Sequence, residues 1–125
     1  MTPDTAVRGL ILVIEDEPAI AEVIRMNLVN AGYGVHVERN GESGLAAVHS
    51  LQPAAVILDV GLPGIDGIEV CRRMRSAQDW TPVLFVTAAT QDYERQFKDR
   101  KVADVISKPF DLNELLAKVR ALCPP

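Results

Sequence analysis

The chain has 125 residues, of which 48% are hydrophobic and 24% charged; this suits one soluble globular domain and excludes an intrinsically disordered chain. The formal net charge of −4 argues against a nucleic-acid surface on this domain, because such surfaces need clustered lysine and arginine. The longest apolar runs, such as Leu10–Ile14, fall far short of the roughly 20 residues that cross a bilayer, and residues 1–9 contain no signal-peptide-like apolar stretch. We therefore expect a cytoplasmic protein with no membrane contact.

The first half of the chain predicts two strands, each followed by a helix. The run Leu10–Ile14 is apolar throughout, as expected of a strand buried on both faces of a sheet. A helix is predicted from Pro18, since proline suits the first helical turn. Its apolar stripe consists of Ile20, Val23, Ile24 and Leu28. Val35–Glu38 is a second predicted strand, and Asn40 is the predicted cap of a helix that runs to about Ser50.

The second half continues the same alternation. The predicted strands are Ala54–Leu58, Pro82–Thr87 and Ala103–Ile106. Capping boxes at Asp66 and at Asp111 predict a third and a last helix, and Tyr93 and Phe97 mark a weaker fourth helix between them. The last helix is expected to bury Leu112, Leu115, Leu116, Val119 and Leu122. Strands that alternate with helices in this way are typical of parallel sheets covered on both faces.

These elements predict an α/β fold of the (βα)₅ type, a doubly wound five-stranded parallel sheet. Right-handed crossovers restrict its topology, and the strand order 2-1-3-4-5 is the common solution at this size. We expect a single domain over residues 1–125 with an ordered core at about residues 9–122. The chain ends in Cys-Pro-Pro, which leaves open a C-terminal output domain that is missing from this sequence.

Polar residues follow the predicted strands at their carboxyl ends, which meet at one edge of a parallel sheet. They are Glu15, Asp16, Glu17, Asp59, Thr87 and Lys108. Carboxylates gathered closely repel one another unless a cation is present, and Mg²⁺ prefers hard oxygen ligands. We therefore predict a Mg²⁺ site in which Asp16, Asp59 and the carbonyl of Gly61 are ligands. Glu15 would hold a coordinated water.

This set of groups predicts phosphoryl transfer onto a carboxylate. Asp59 could attack a phosphoryl group while Mg²⁺ and Lys108 offset the charge on the transferring oxygens. The hydroxyl of Thr87 could donate a hydrogen bond to one of those oxygens. Each motif is weak by itself, and only their common position at strand ends makes the prediction specific.

Four stretches of the sequence resemble the response-regulator receiver domain, and the resemblance extends over nearly the whole chain. They are residues 11–17, 56–67, 82–88 and 107–110. The resemblance implies a flavodoxin-like, CheY-like fold in which Asp59 is the phosphoacceptor and Glu15 and Asp16 form the acidic pair for the metal. Thr87 would be the switch hydroxyl, and Lys108 would be the lysine that contacts the phosphoryl group. The Lys108–Pro109 bond would be cis.

The same resemblance implies partners. A sensor histidine kinase or a phosphotransfer protein would supply the phosphoryl group, and homodimerisation could use the face made by the fourth helix, the fifth strand and the last helix. The domain would be no enzyme beyond catalysing its own phosphorylation and dephosphorylation. The last helix also resembles those of receivers that precede a winged-helix DNA-binding domain, so DNA could be reached through an absent output domain.

One departure and two alternatives stay open. Val105 stands where the family usually has an aromatic residue, so any switch would use another lever, such as a shift of the fourth helix. The first alternative is a pseudo-receiver scaffold that binds partners without phosphorylation. The second is a small Mg²⁺-dependent aspartyl-phosphate phosphatase, although Gly61 stands where such enzymes usually carry a second acid.

Overall fold

The computed structural model describes residues 9–88 and 103–123 and contains a five-stranded sheet of order β2-β1-β3-β4-β5. The strands are β1 (Leu10–Ile14), β2 (Gly34–Glu38), β3 (Ala55–Asp59), β4 (Val83–Thr87) and β5 (Asp104–Ser107). Every pair of neighbouring strands is parallel. The predicted doubly wound α/β fold and its strand order are therefore confirmed.

Four helices lie in the described part of the chain. They are α1 (Pro18–Asn30), α2 (Gly41–Leu51), α3 (Gly67–Ser76) and a C-terminal helix (Leu112–Leu122). Asn40, Asp66 and Asp111 each cap a helix by accepting a hydrogen bond from a backbone N–H two or three residues further on. The predicted helix around Tyr93 and Phe97 lies outside the described residues. None of the helices in the described ranges is long and apolar enough to cross a membrane.

Helices cover both faces of the sheet, and each face has its own apolar cluster. β3 and β4 are buried along their whole length, as the continuous apolar runs predict. On one face α2 and α3 pack against alternate residues of the central strands, and on the other face α1 and the C-terminal helix do so. The alternation of side chains along each strand divides the core in this way.

The predicted apolar stripes of the helices are only partly correct. Val23 is 45% exposed and does not belong to the core stripe of α1, whose buried residues include Ile24 and Leu28. In the C-terminal helix Leu115 and Val119 are buried. The other predicted core residues of that helix are half-buried and pack against the same cluster; they are Leu112, Leu116 and Leu122.

Candidate functional site

The carboxyl ends of the central strands bring the predicted polar residues to one edge of the sheet. Glu15 follows β1, Asp59 ends β3, Thr87 ends β4 and Lys108 follows β5. The strand register places Asp59 beside Val86, so β3 and β4 end nearly level. Among the described residues, the buried polar or charged side chains are Glu15, Asp59 and Thr87. Burial of polar side chains is costly, and its concentration here indicates a functional site.

Three acids of this edge lie close enough to share one cation. Oxygen atoms of Glu15, Asp16 and Asp59 all lie within 4.8 Å of one another. The Asp59 side chain is oriented by the backbone N–H of Gly61, which donates a hydrogen bond to Oδ1 at 3.1 Å. A group of carboxylate oxygens at this spacing suits a hard divalent cation. The role of the Gly61 carbonyl as a ligand stays a prediction.

Lys108 supplies a positive charge to these acids. Its Nζ lies 3.2 Å from Oε1 of Glu15, 3.5 Å from Oδ2 of Asp59 and 3.9 Å from Oε1 of Glu17. Its backbone N–H donates to the carbonyl of Thr87 at 2.8 Å, which joins the ends of β4 and β5. The Lys108–Pro109 peptide bond is cis, as the resemblance implies. The structure thus places the lysine and the acids in one constellation.

The electrostatics of the site are dominated by burial of Glu15. Burial, together with the charge of Asp59, raises the pKa of Glu15 from 4.5 to about 7, against opposing hydrogen bonds from Glu17 N–H and Lys108. Burial lowers the pKa of Lys108, but the carboxylates of Glu15 and Asp59 outweigh it and leave that pKa above its usual value. A cation among the acids would relieve the unfavourable negative charge at neutral pH.

Sequence reasoning missed two features of this edge. Arg39 donates from Nη1 to the carbonyl of Asp16 at 3.5 Å. A groove of about 680 Å³ lies beside Lys108, between the α1 residues Ala19, Ile20 and Val23 and the segment 108–110. The sequence of α1 contained a hint of the groove, because this helix carries more apolar residues than one buried stripe requires.

A parallel sheet of order 2-1-3-4-5 with buried acids and a lysine at its carboxyl edge defines the class of flavodoxin-like α/β domains with an acidic cluster at that edge. The family model described as the response regulator receiver domain matches residues 11–120. The chain therefore belongs to this family and is a receiver domain of two-component response regulators. The resemblance on which the sequence analysis relied is confirmed.

Curated relatives support the same assignment. Response regulator MprA of Mycolicibacterium vanbaalenii is 43% identical over 113 residues, which are 90% of this chain and 49% of that protein. Transcriptional regulatory protein TcrA of Mycobacterium tuberculosis is 44% identical over 113 residues, which are 90% of this chain and 45% of that protein. The chain thus spans about half the length of the curated relatives that it matches.

Solved structures of receiver domains share the fold. The receiver domain of a Francisella response regulator matches with a TM-score of 0.85 and 26% identity, covering 91% of this chain and 95% of that one. The chemotaxis response regulator CheY4 of Vibrio cholerae matches with a TM-score of 0.83 and 26% identity, covering 91% and 98%. These likenesses extend over almost the whole described domain.

Proposed function

We propose that Asp59 accepts a phosphoryl group from a sensor histidine kinase or a phosphotransfer protein in a Mg²⁺-dependent reaction. One observation carries the proposal: the buried carboxylate of Asp59 lies within 4.8 Å of Glu15 and Asp16 oxygens, and its Oδ2 lies 3.5 Å from Lys108 Nζ. Phosphorylation would then switch a face that binds a partner or a second copy of the domain. The added charge, about −2 at neutral pH, would bias that face.

The residues fit Mg²⁺ because they offer hard anionic oxygens that repel one another without a cation. Glu15, Asp16 and Asp59 would hold the ion, with the Gly61 carbonyl as a further ligand. When bound, Mg²⁺ would neutralise charge on the transferring phosphoryl oxygens.

The chain's own residues would divide the transfer among them. Gly61 N–H holds Oδ1 of Asp59, while Oδ2 faces Lys108 and is the oxygen that would attack phosphorus. A new O–P bond forms as the bond from phosphorus to the donor breaks, and the donor leaves with its electron pair. The Lys108 ammonium would offset the charge on the transferring oxygens, and the Thr87 hydroxyl would donate a hydrogen bond to one of them.

The reaction stays on the chain, and receiver domains are not enzymes in the ordinary sense. We infer that this domain catalyses only its own phosphorylation and dephosphorylation. The two alternatives predict other outcomes. A phosphorylation-independent scaffold would give no covalent product with acetyl phosphate, and a phosphatase would turn over a phosphomonoester continuously in a separate assay.

Incubation with acetyl phosphate and Mg²⁺ is expected to add one phosphoryl group to the wild-type protein, measured by intact-protein mass spectrometry. The Asp59→Asn variant and a wild-type sample in chelator should show no product, because each lacks a group that the reaction requires. Asp66→Asn is the matched control, since Asp66 is an exposed helix cap and asparagine caps equally well. A wild-type protein without product, or the same product on Asp59→Asn, would refute the proposal.

We further propose that the phosphodonor protein docks on α1 and the groove beside Lys108. Any donor must approach Asp59 from this edge, and the groove reaches Lys108 itself. Val23 lines the groove and is 45% exposed, and Met26, one turn further along α1, is 50% exposed. Exposed apolar residues that continue from a reactive site are suited to a protein partner that buries them.

Take a histidine kinase that phosphorylates the wild type. Val23→Glu combined with Met26→Glu is expected to slow phosphotransfer from this kinase about 10-fold or more, since buried apolar anchors carry much of the energy of an interface. Phosphorylation by acetyl phosphate should not change, because neither residue touches the acids. Leu51→Glu on α2, where Leu51 is 40% exposed, is the matched control and should leave both rates unchanged. Equal kinase rates in the double variant and the wild type would contradict this docking surface.

We also propose that residues 1–125 form one receiver domain, with its ordered core at residues 9–122, that precedes an output domain in the full protein. The proposal is supported by the curated relatives, of which this chain covers about half. DNA would then be the final target through that domain.

Homodimerisation would use a face that includes β5 and the C-terminal helix, where Lys118 pairs with Asp104 at 2.8 Å. The coding sequence beyond Pro125 and the mass of the phosphorylated protein in solution test these two points.

A further inference from the structure

We propose that Gly67 and Gly41 are positioning residues for the phosphoacceptor. Their lack of a side chain allows the first turns of α3 and α2 to close on the loop of residues 60–66, which follows Asp59. The proposal rests on the proposed function of Asp59, because its effect is exerted through that carboxylate. Neither glycine touches the phosphoryl group or the metal in this scheme.

Gly67 lies against the backbone of the phosphoacceptor itself. A Cβ atom at position 67 would clash with the carbonyl oxygen of Asp59 and would lie 2.9 Å from Cα of Val60. Both neighbours are backbone atoms, so no change of side-chain rotamer relieves the contact. The backbone N–H of Gly67 donates to the carbonyl of Val60 at 3.0 Å, which fixes the close approach. Only glycine fits this position without a backbone shift.

Gly41 packs against a second point of the same loop, Ile65. A Cβ atom there would lie 2.5 Å from the carbonyl oxygen of Ile65 and 2.5 Å from its Cγ1 atom. Gly41 is the first residue of α2, directly after the cap Asn40. The first turns of two helices therefore pack closely against the segment of residues 59–65, and both contacts depend on glycine.

The loop of residues 60–66 orients the Asp59 carboxylate. Gly61 N–H, within this loop, holds Asp59 Oδ1 at 3.1 Å. A Cβ at position 67 would lie well inside 3.0 Å of the Asp59 carbonyl oxygen, a separation that real Cβ atoms essentially never show, so the backbone must shift. One side of this contact is the carbonyl oxygen of Asp59, so a displacement on that side reaches the reacting group. Misplacement of a reacting group by about 1 Å costs on the order of 100-fold in rate.

The test compares Gly67→Ala and Gly41→Ala with the matched control Gly44→Ala. Gly44 is a buried residue of α2, and the three atoms nearest to an added Cβ there are side-chain atoms of Ile14, the first at 2.6 Å. Three quantities are measured: the initial rate of phosphorylation by acetyl phosphate at saturating Mg²⁺, the affinity for Mn²⁺ alone by electron paramagnetic resonance, and stability by urea unfolding.

We expect the phosphorylation rate to fall on the order of 100-fold in Gly67→Ala and about 10-fold in Gly41→Ala, with weaker Mn²⁺ binding in both. Gly44→Ala should lose stability but keep the rate and the affinity of the wild type. Wild-type rate and affinity in a folded Gly67→Ala would overturn the proposal, as would an equal loss in Gly44→Ala. Should Gly67→Ala fail to fold, Gly41→Ala decides by the same criteria.

The two proposals fail in different ways. A wild-type protein that binds Mn²⁺ but never gains a phosphoryl group would refute the function proposed for Asp59. Positioning by the glycines would then be judged from Mn²⁺ affinity alone, since Asp59 is one of the acids that offer oxygens to the cation. Wild-type phosphorylation with unaffected glycine variants would refute only the positioning role.

Discussion

Replacing Lys108 with alanine is expected to slow phosphorylation of Asp59 by acetyl phosphate about 100-fold or more. The ammonium group lies 3.5 Å from Asp59 Oδ2, where negative charge concentrates as a phosphoryl group is transferred. Its side chain is only 18% exposed, so solvent screens the interaction weakly. Loss of one preoriented donor from such a site commonly costs 10²–10³ in rate, about 3–4 kcal/mol of transition-state stabilisation.

The same substitution has a second expected consequence, for stability. Lys108 lies 3.2 Å from Glu15 Oε1, and in the described ranges no other lysine or arginine forms an ion pair with Glu15 or Asp59. Removing one partner of a buried pair leaves an uncompensated charge, which is strongly destabilising. Lys108→Ala should therefore unfold at lower temperature than wild type in metal-free buffer at pH 8, and Mg²⁺ should stabilise the variant more than the wild type. Thermal unfolding with and without Mg²⁺ measures both effects.

Lys118→Ala is the matched control for Lys108→Ala. Lys118 pairs with Asp104 at 2.8 Å, but both side chains are partly exposed and remote in the chain from the acids of the site. Such a pair contributes little to stability, about 0–1 kcal/mol, and nothing to the reaction. Equal slowing in both variants, or a wild-type rate in Lys108→Ala, would contradict the role assigned to Lys108.

Strand positions and the site were predictable from the sequence because both follow from one pattern. Continuous apolar runs place β1, β3 and β4 in the buried centre of a parallel sheet, and the polar residue that ends each run must then lie at the carboxyl edge. Asp59 and Lys108 are distant in the chain, yet the topology alone brings them together. The observed strand β3, Ala55–Asp59, is shifted by one residue from the predicted Ala54–Leu58, because the ends of a strand depend on its pairing with neighbouring strands.

The remaining features depend on tertiary contacts that periodicity does not contain. Val23 fits the helical period of a core stripe, but in the folded chain its side of α1 is exposed, whereas Ile24 is buried. The capping box at Asp66 predicts where α3 begins, whereas the distance from Gly67 to the Asp59 carbonyl exists only in the folded chain. Burial of Glu15 likewise follows from its neighbours in space and not from its own sequence context.

Val105 occupies the position at which the family usually has an aromatic residue. It is half-buried in β5 and packs against the cluster that contains Phe85, its register partner on β4. Phe85 is fully buried, so an aromatic ring is present on this face one strand further in. Switching without an aromatic residue at position 105 stays a prediction, which Val105→Tyr examines alone and combined with a substitution of its neighbour Phe85.

Glu15→Gln is expected to stabilise the metal-free protein at pH 8, by up to about 3 kcal/mol. The pKa of Glu15 is raised from 4.5 to about 7, so the folded protein binds an additional proton between these two values. Stability contributed by that proton is fully present below pH 4.5 and is lost as the pH rises to about 7. This difference between the two pKa values of Glu15 corresponds to roughly 3 kcal/mol of unfolding free energy. Glutamine carries no charge, so urea unfolding of the variant should lack this decline.

Glu69→Gln is the control with the opposite sign. Hydrogen bonds from Arg72 and Arg73 lower the pKa of Glu69 to about 2, so its contribution is present above pH 4.5 and is lost as the pH falls towards 2. The Glu69 side chain is partly exposed, and its variant should differ from wild type only slightly and only in acid. A wild-type slope between pH 5 and pH 7 in Glu15→Gln would show that another group titrates there. Mg²⁺ should stabilise the wild type more than Glu15→Gln, because the variant has lost one of the three acids whose oxygens lie close enough to share a cation.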